Sequence, residues 1–162
     1  MKKNYNLAFT LIELLVVIAI IVTLAALSSF GLRGSFENAR NTQRKSDLKQ
    51  YQTALEIYAN KNNGLFPSRT ANSGTRASTT ICSDLGLPSG DCSEDPAYEN
   101  DSSWDFYKYE SNGSGTGGAD ASDYVLWARL EEDTTTYHIV CSNGKSGDVT
   151  TNPSGNDGNC PL

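Results

Sequence analysis

The chain has 162 residues, with 19 acidic and 13 basic side chains, a formal net charge of −6, one histidine and four cysteines. Residues 64–162 hold fifteen acidic and five basic side chains, which argues against a nucleic-acid backbone as a direct ligand. The single histidine, His138, falls in a predicted strand, and no serine or cysteine triad can be assembled from the spacing, which argues against nucleophilic catalysis.

In chain order, Lys2 and Lys3 precede a run from Phe9 to Leu32 that contains no lysine or arginine. At about 1.5 Å per residue this run can cross a bilayer core of about 30 Å. The positive-inside rule then keeps the first eight residues cytoplasmic and places everything after Arg33 outside. One carboxylate, Glu13, interrupts the run, at a cost of roughly 2.5 to 3.5 kcal/mol on insertion scales, so it calls for a function and a partner. An ordinary signal peptide cut near Ala25-Ala26 or Ser28-Ser29 would discard Glu13. A plain membrane anchor would leave it unpaired in lipid.

Ala8-Phe9-Thr-Leu-Ile-Glu13-Leu after a short basic leader resembles the class III signal of type IV pilins and of the pseudopilins of type II secretion systems. The resemblance is strong over residues 2 to 63 and weak beyond. It implies that residues 1–8 are a leader removed by a prepilin peptidase between Ala8 and Phe9, and that the new amino group of Phe9 is methylated. It implies also that the apolar helix becomes the core of a helical homo-oligomer, with Glu13 facing the α-ammonium of Phe9 on a neighbour. An α-amino group titrating near about 7.7 to 8.0 is largely cationic at neutral pH, and the penalty for leaving either charge unpaired in a low-dielectric core would select axial register. The residue before the cut is usually glycine in this family, whereas here it is Ala8.

Residues 33–63 carry six basic and three acidic side chains. Leu48, Tyr51, Leu55 and Tyr58 recur at helical steps and mark a face that packs on a sheet. Asn62-Asn63-Gly64 followed by Pro67 is a stop signal. Gly31 and Gly34 each weaken a helix by roughly 1 kcal/mol relative to alanine. Without a proline between Phe9 and Phe66, the pattern predicts a single helix from Phe9 to Asn63, membrane-spanning over 9–32 and amphipathic over 33–63. A cationic stem below an anionic head would either let neighbouring subunits attract, with a strength that falls as salt rises, or serve only the solubility of an exposed head.

Residues 64–162 read as one extracytoplasmic head. Cys82, Cys92, Cys141 and Cys160 lie on the oxidising side, where three pairings are possible, and Cys82–Cys92 with Cys141–Cys160 close the shorter loops. The second pair would resemble the C-terminal disulfide loop of many pilins. Trp104–Tyr109, Tyr124–Leu130 and Thr134–Cys141 read as strands, with Glu131-Glu132-Asp133 as a turn. Ser111–Gly118 reads as a flexible hairpin connection, and residues 65–103 as the variable loop between helix and sheet. The fold class expected is α+β, the pilin fold: a long N-terminal helix on a small antiparallel sheet of three or four strands. Asn100 and Asn112 match glycosylation sequons. No cofactor is expected apart from calcium, for which Asp148, Asn156 and Asp157 offer hard oxygen ligands in a loop comparable to that of major pseudopilins.

Together these features, with the resemblance, imply a structural subunit and not an enzyme. It would be anchored in the cytoplasmic membrane with its N-terminus inside, then assembled into an extracellular filament by an ATPase-driven platform. The alternatives are a pseudopilin of a type II secretion system and, in a different class, a soluble secreted binding domain.

Overall fold

A computed structural model describes residues 9–28, 32–70, 74–88, 90–98, 104–131, 133 and 135–162, without the side chains of residues 27, 28, 32 and 33. The chain divides into two compact units, Met1–Phe36 and Glu37–Leu162. The N-terminal unit holds α1 (Leu11–Ser28); α2 (Leu32–Lys61) begins there and supplies the spine of the second unit. The continuity expected between the two helices falls on residues 29–31, outside the described residues.

The rest of the second unit is β1 (Phe66–Pro67), β2 (Thr75–Arg76), a π-helical turn (Ala77–Ile81), the short α3 (Cys82–Asp84), β3 (Lys108–Ser111), β4 (Ala119–Ala121), β5 (Tyr124–Arg129), β6 (Tyr137–Cys141) and β7 (Ser146–Val149). This is an α+β unit with antiparallel sheets. One sheet has the order β2-β3-β5-β6-β7, and β1 pairs separately with β4. The sheet has five strands instead of three or four, because β2 and β7 carry no apolar alternation that would mark them in the sequence. A signal for β7 was nevertheless present, since Asn143-Gly144 before it is a strong hairpin dipeptide.

Both faces of the sheet are covered. Tyr124, Leu126 and Ala128 on β5 face one core with Tyr109, Val140 and the α2 residues Leu48, Tyr51, Leu55 and Ala59. Val125 and Trp127 face a second core with Ile139 and Cys141, closed by Val149 and Cys160. The period-two alternation therefore sorts side chains between two cores rather than between core and water. Gly74 is required beneath Trp127: its φ is +76°, and a Cβ there would stand 2.8 Å from the indole.

Helix α2 ends as its sequence predicts. Asn63 takes φ 57°, and the N–H of Gly64 donates to the carbonyl of Ala59 at 2.8 Å, closing the last turn in a left-handed C-terminal motif. Tyr58 is only half-buried, and the buried face runs the other way, through Arg44 and Asn41. Arg44 is fully buried. Its Nε and Nη2 donate to Asp95 at 2.7 and 2.9 Å, its Nη1 donates to Asn41 at 2.8 Å, and Nη2 lies 2.7 Å from Glu131. Arg40 also pairs with Glu131, and Lys45 with Asp148. Three of the cations expected to attract a neighbouring head are thus engaged within the chain, because α2 docks on the acidic elements that follow it.

Two segments expected to be connecting loops carry regular structure or specific contacts among their described residues. Residues 65–103 contain β1, β2, the π-helical turn and α3, and they contribute Ala77, Ile81 and Asp95 to the interior. The glycine-rich connection is locked onto residues 68–70. Gly115 N–H donates to Ser68 Oγ at 2.6 Å, and Gly117 and Ser68 exchange backbone bonds through the Gly117 and Gly118 groups. Gly117 has φ +85°, and a Cβ there would lie 2.4 Å from the Arg69 guanidinium that pairs with Asp84. Its glycines serve close approach and left-handed turns, not flexibility.

The carboxylates of Glu131 and Asp47 are shifted in opposite directions. Hydrogen bonding to Arg40 holds Glu131 below its usual range, whereas burial pushes Asp47 above its own, despite the Tyr107 hydroxyl that donates to it at 2.7 Å. A depressed carboxylate contributes stability that is present above its unfolded value and lost as pH falls through the folded one. Glu131→Gln is therefore expected to lower stability at neutral pH by about 1 to 3 kcal/mol, with the deficit shrinking as pH falls through the ordinary carboxylate range and lost once it passes the lower folded-state value. Asp47→Asn is expected to raise stability at neutral pH and to lose that advantage in acid. Urea midpoints measured between pH 3 and 7 check both. In the same assay Leu55→Ala should cost about 2 to 5 kcal/mol, while Ile57→Ala should stay within about 0.5 kcal/mol.

Candidate functional site: the N-terminal helix and its capping box

Chemistry at the N-terminus begins with the start of α1. Thr10 occupies the N-cap position: its carbonyl accepts from the N–H of Leu14 at 3.3 Å, and its hydroxyl accepts from the N–H of Glu13 at 3.3 Å. Glu13 returns the interaction, taking the Thr10 N–H at 2.9 Å and the Thr10 hydroxyl at 2.7 Å on one carboxylate oxygen. Thr10-Leu-Ile-Glu13 is thus a capping box, in which the side chains at N-cap and N3 satisfy each other's backbone donors. The S/T-x-x-E spacing was legible in the sequence. Its consequence is that Glu13 has a partner inside its own chain, which a plain anchor was expected to lack.

The body of α1 is apolar on every side. Leu11, Ile12, Leu15, Ile18, Ile21 and Val22 are between 53% and 88% exposed. A helix apolar all round belongs in lipid or among other helices. Among the described residues no helix is long and apolar enough to cross a membrane. The 18 residues of α1 rise about 27 Å, just short of a hydrocarbon core of about 30 Å. The span expected over 9–32 also includes residues 29–31, which lie outside the described residues.

A protein-family model for the prokaryotic N-terminal methylation motif matches residues 3–29. That motif is the class III signal of type IV pilins and pseudopilins, which the N-terminus resembles over these residues. The methylation motif covers about a sixth of the chain, and its boundaries enclose Ala8, Phe9 and Glu13. Ala8 lies outside the described residues, and Phe9 stands 82% exposed immediately before the N-cap. No curated protein and no solved structure matches the chain.

Elsewhere the structure pairs Cys82 with Cys92 and Cys141 with Cys160, at sequence separations of 10 and 19. The first pair ties α3 to the segment that carries Asp95. The second holds the C-terminal segment over the sheet, where buried Glu110 accepts the backbone N–H groups of Gly155 at 2.9 Å and Asp157 at 2.7 Å. The three calcium candidates are engaged separately. Asp148 sits on β7 between Lys45 and His138, Asn156 donates its amide to the carbonyl of Pro153, and the N–H of Asp157 is held by Glu110. Among the described residues no group of three or more His, Cys, Asp or Glu side chains is placed to hold a metal ion. The sequon at Asn100 lies outside the described residues. Asn112 donates its amide to Ser122 Oγ at 2.9 Å, and its oxygen accepts from the N–H groups of Ser122 and Asp123.

Arg44, Asn41 and Glu110 were missed from sequence because polar residues do not register on an apolar periodicity. Only the partners that tertiary folding brings to them justify their burial.

Removing the cap tests the local geometry. Thr10→Ala should destabilise the first turn by about 1 kcal/mol, read as faster amide exchange at Leu11–Leu14 in detergent micelles, with Thr10→Ser retaining protection.

Proposed function

We propose that this protein is a structural subunit of a type IV pilus-like filament, processed by a prepilin peptidase between Ala8 and Phe9 and assembled through α1. The observation that carries this reading is the coincidence of the methylation motif with a capped helix that is apolar on all sides and bears one carboxylate at its first turn. Before assembly, the capping box gives Glu13 two donors and lowers the cost of holding it in lipid. On assembly, the cationic amino group of Phe9 on a neighbour replaces neutral donors with a charged one, and charge-assisted bonds are roughly twice as strong as neutral ones. The exchange favours the register in which ammonium and carboxylate meet, since any other register leaves a charge among apolar side chains.

In this reading the subunit is first anchored in the cytoplasmic membrane with its N-terminus inside. The assembly platform and its ATPase then move it into a filament whose heads face outward. The function is structural: α1 supplies the contacts, and the disulfide-bonded head supplies the surface.

Protein recovered from its native cells is expected to begin at methylated Phe9 by intact mass and N-terminal sequencing. A start near Ser28 would instead indicate release by an ordinary signal peptidase and overturn the assignment. Glu13→Val should leave membrane insertion intact and strongly reduce filaments; normal filament yield from that variant would remove the register role.

A further inference from the structure

Arginines of the second unit meet carboxylates, with one exception. Arg40, Arg44, Arg69 and Arg76 each form an ion pair. Arg129, the last residue of β5 and the register partner of Tyr137, pairs with no carboxylate among the described residues. Its Nε is enclosed and donates to no protein acceptor, and the same holds for Trp104 Nε1. Among the described residues these are the two enclosed side-chain polar atoms without a partner, and they belong to one stacked pair: the guanidinium carbon of Arg129 lies 3.9 Å from the centre of the Trp104 ring. Both are donors, so the pair is complementary to an acceptor, and the permanent charge of arginine favours an anion in that role.

The carboxylates that adjoin the pair in sequence are committed elsewhere. Asp105, next to Trp104, holds Lys108, and Glu131, two residues beyond Arg129, holds Arg40 and Arg44. The guanidinium of Arg44 lies 5.4 Å from the same indole, but it is neutralised by Asp95 and Glu131. Arg129 is half-buried: its Nε is shut off from water, whereas its Nη groups are not among the enclosed atoms. Partial removal from water weakens hydration of the cation and strengthens its attraction for an opposite charge. Stacking on the indole also fixes the plane of the guanidinium and leaves its outer N–H groups in that plane, where a carboxylate accepts two parallel hydrogen bonds.

We propose that Arg129, held on Trp104, is a binding site for a carboxylate, taken end-on by the two Nη groups. A second copy of this chain is the source that composition favours, since residues 64–162 hold fifteen acidic and five basic side chains. A free small carboxylate offers the same chemistry. The site lies wholly within the second unit and does not depend on the filament reading.

The test uses the full chain in detergent micelles, with the indole N–H of Trp104 and the Nε–H of Arg129 followed by heteronuclear NMR. At a fixed low protein concentration, sodium acetate is expected to shift both signals to saturation, and sodium chloride at the same ionic strength is not. Signals indifferent to acetate, or moved equally by chloride, would overturn the site. Without acetate, both signals should move together as protein concentration rises; signals that stay fixed while acetate binds would overturn the second copy as the source. Arg129→Lys keeps the charge and loses the fork, so the Trp104 signal should report acetate binding weakened about tenfold. Unchanged affinity in that variant would overturn the end-on fork. The Trp127 indole signal, from the second core, shows whether the variant is folded, and the two salt titrations of the unmodified chain decide the proposal without it.

Discussion

The buried guanidinium of Arg44 is the interaction on which the second unit depends. It is fully buried, and it is tolerable there because Asp95 meets it in a two-point fork, with Asn41 and Glu131 taking further donors. These partners come from three parts of the chain: α2 itself, the segment after the first disulfide, and the turn between β5 and β6. Removal of any one leaves a charge in a low-dielectric setting, so the network fixes where α2 can lie on the sheet. The apolar contacts of Leu48, Tyr51 and Leu55 contribute burial but would tolerate small slips along the helix. A forked ion pair would not.

The N-terminal unit solves a related problem differently. Glu13 is a carboxylate on a helix with nothing but apolar side chains around it, and the capping box satisfies it locally with Thr10. The two sites differ in permanence. Arg44 and Asp95 are enclosed by the head, whereas Thr10 and Glu13 are exposed at a helix end and can exchange partners. A locally satisfied carboxylate can travel in a membrane, and a stronger partner can still recruit it.

The charge distribution follows from the same docking. Lysine and arginine on α2 face acidic elements of the head and neutralise them within the chain, which leaves Asp47 and Asp91 as carboxylates beside an apolar groove.

Local patterns were sufficient for the N-terminal motif, the stop at Asn63-Gly64, the α+β class and strand β5, because each depends on neighbours in sequence: a capping spacing, a left-handed turn residue, a period of two. The sequence by itself determined that an apolar helix with a single acidic residue precedes a cysteine-bearing head. Tertiary structure decided what depends on distant partners. It placed Arg44 and Glu110 inside the protein, held β2 and β7 by pairing where side-chain pattern offers nothing, and ordered the glycine-rich connection against Ser68. A polar side chain carries no mark of the partner that will satisfy it, and a strand of glycine, serine and aspartate carries no mark of its edge; both are settled only when the chain has closed on itself.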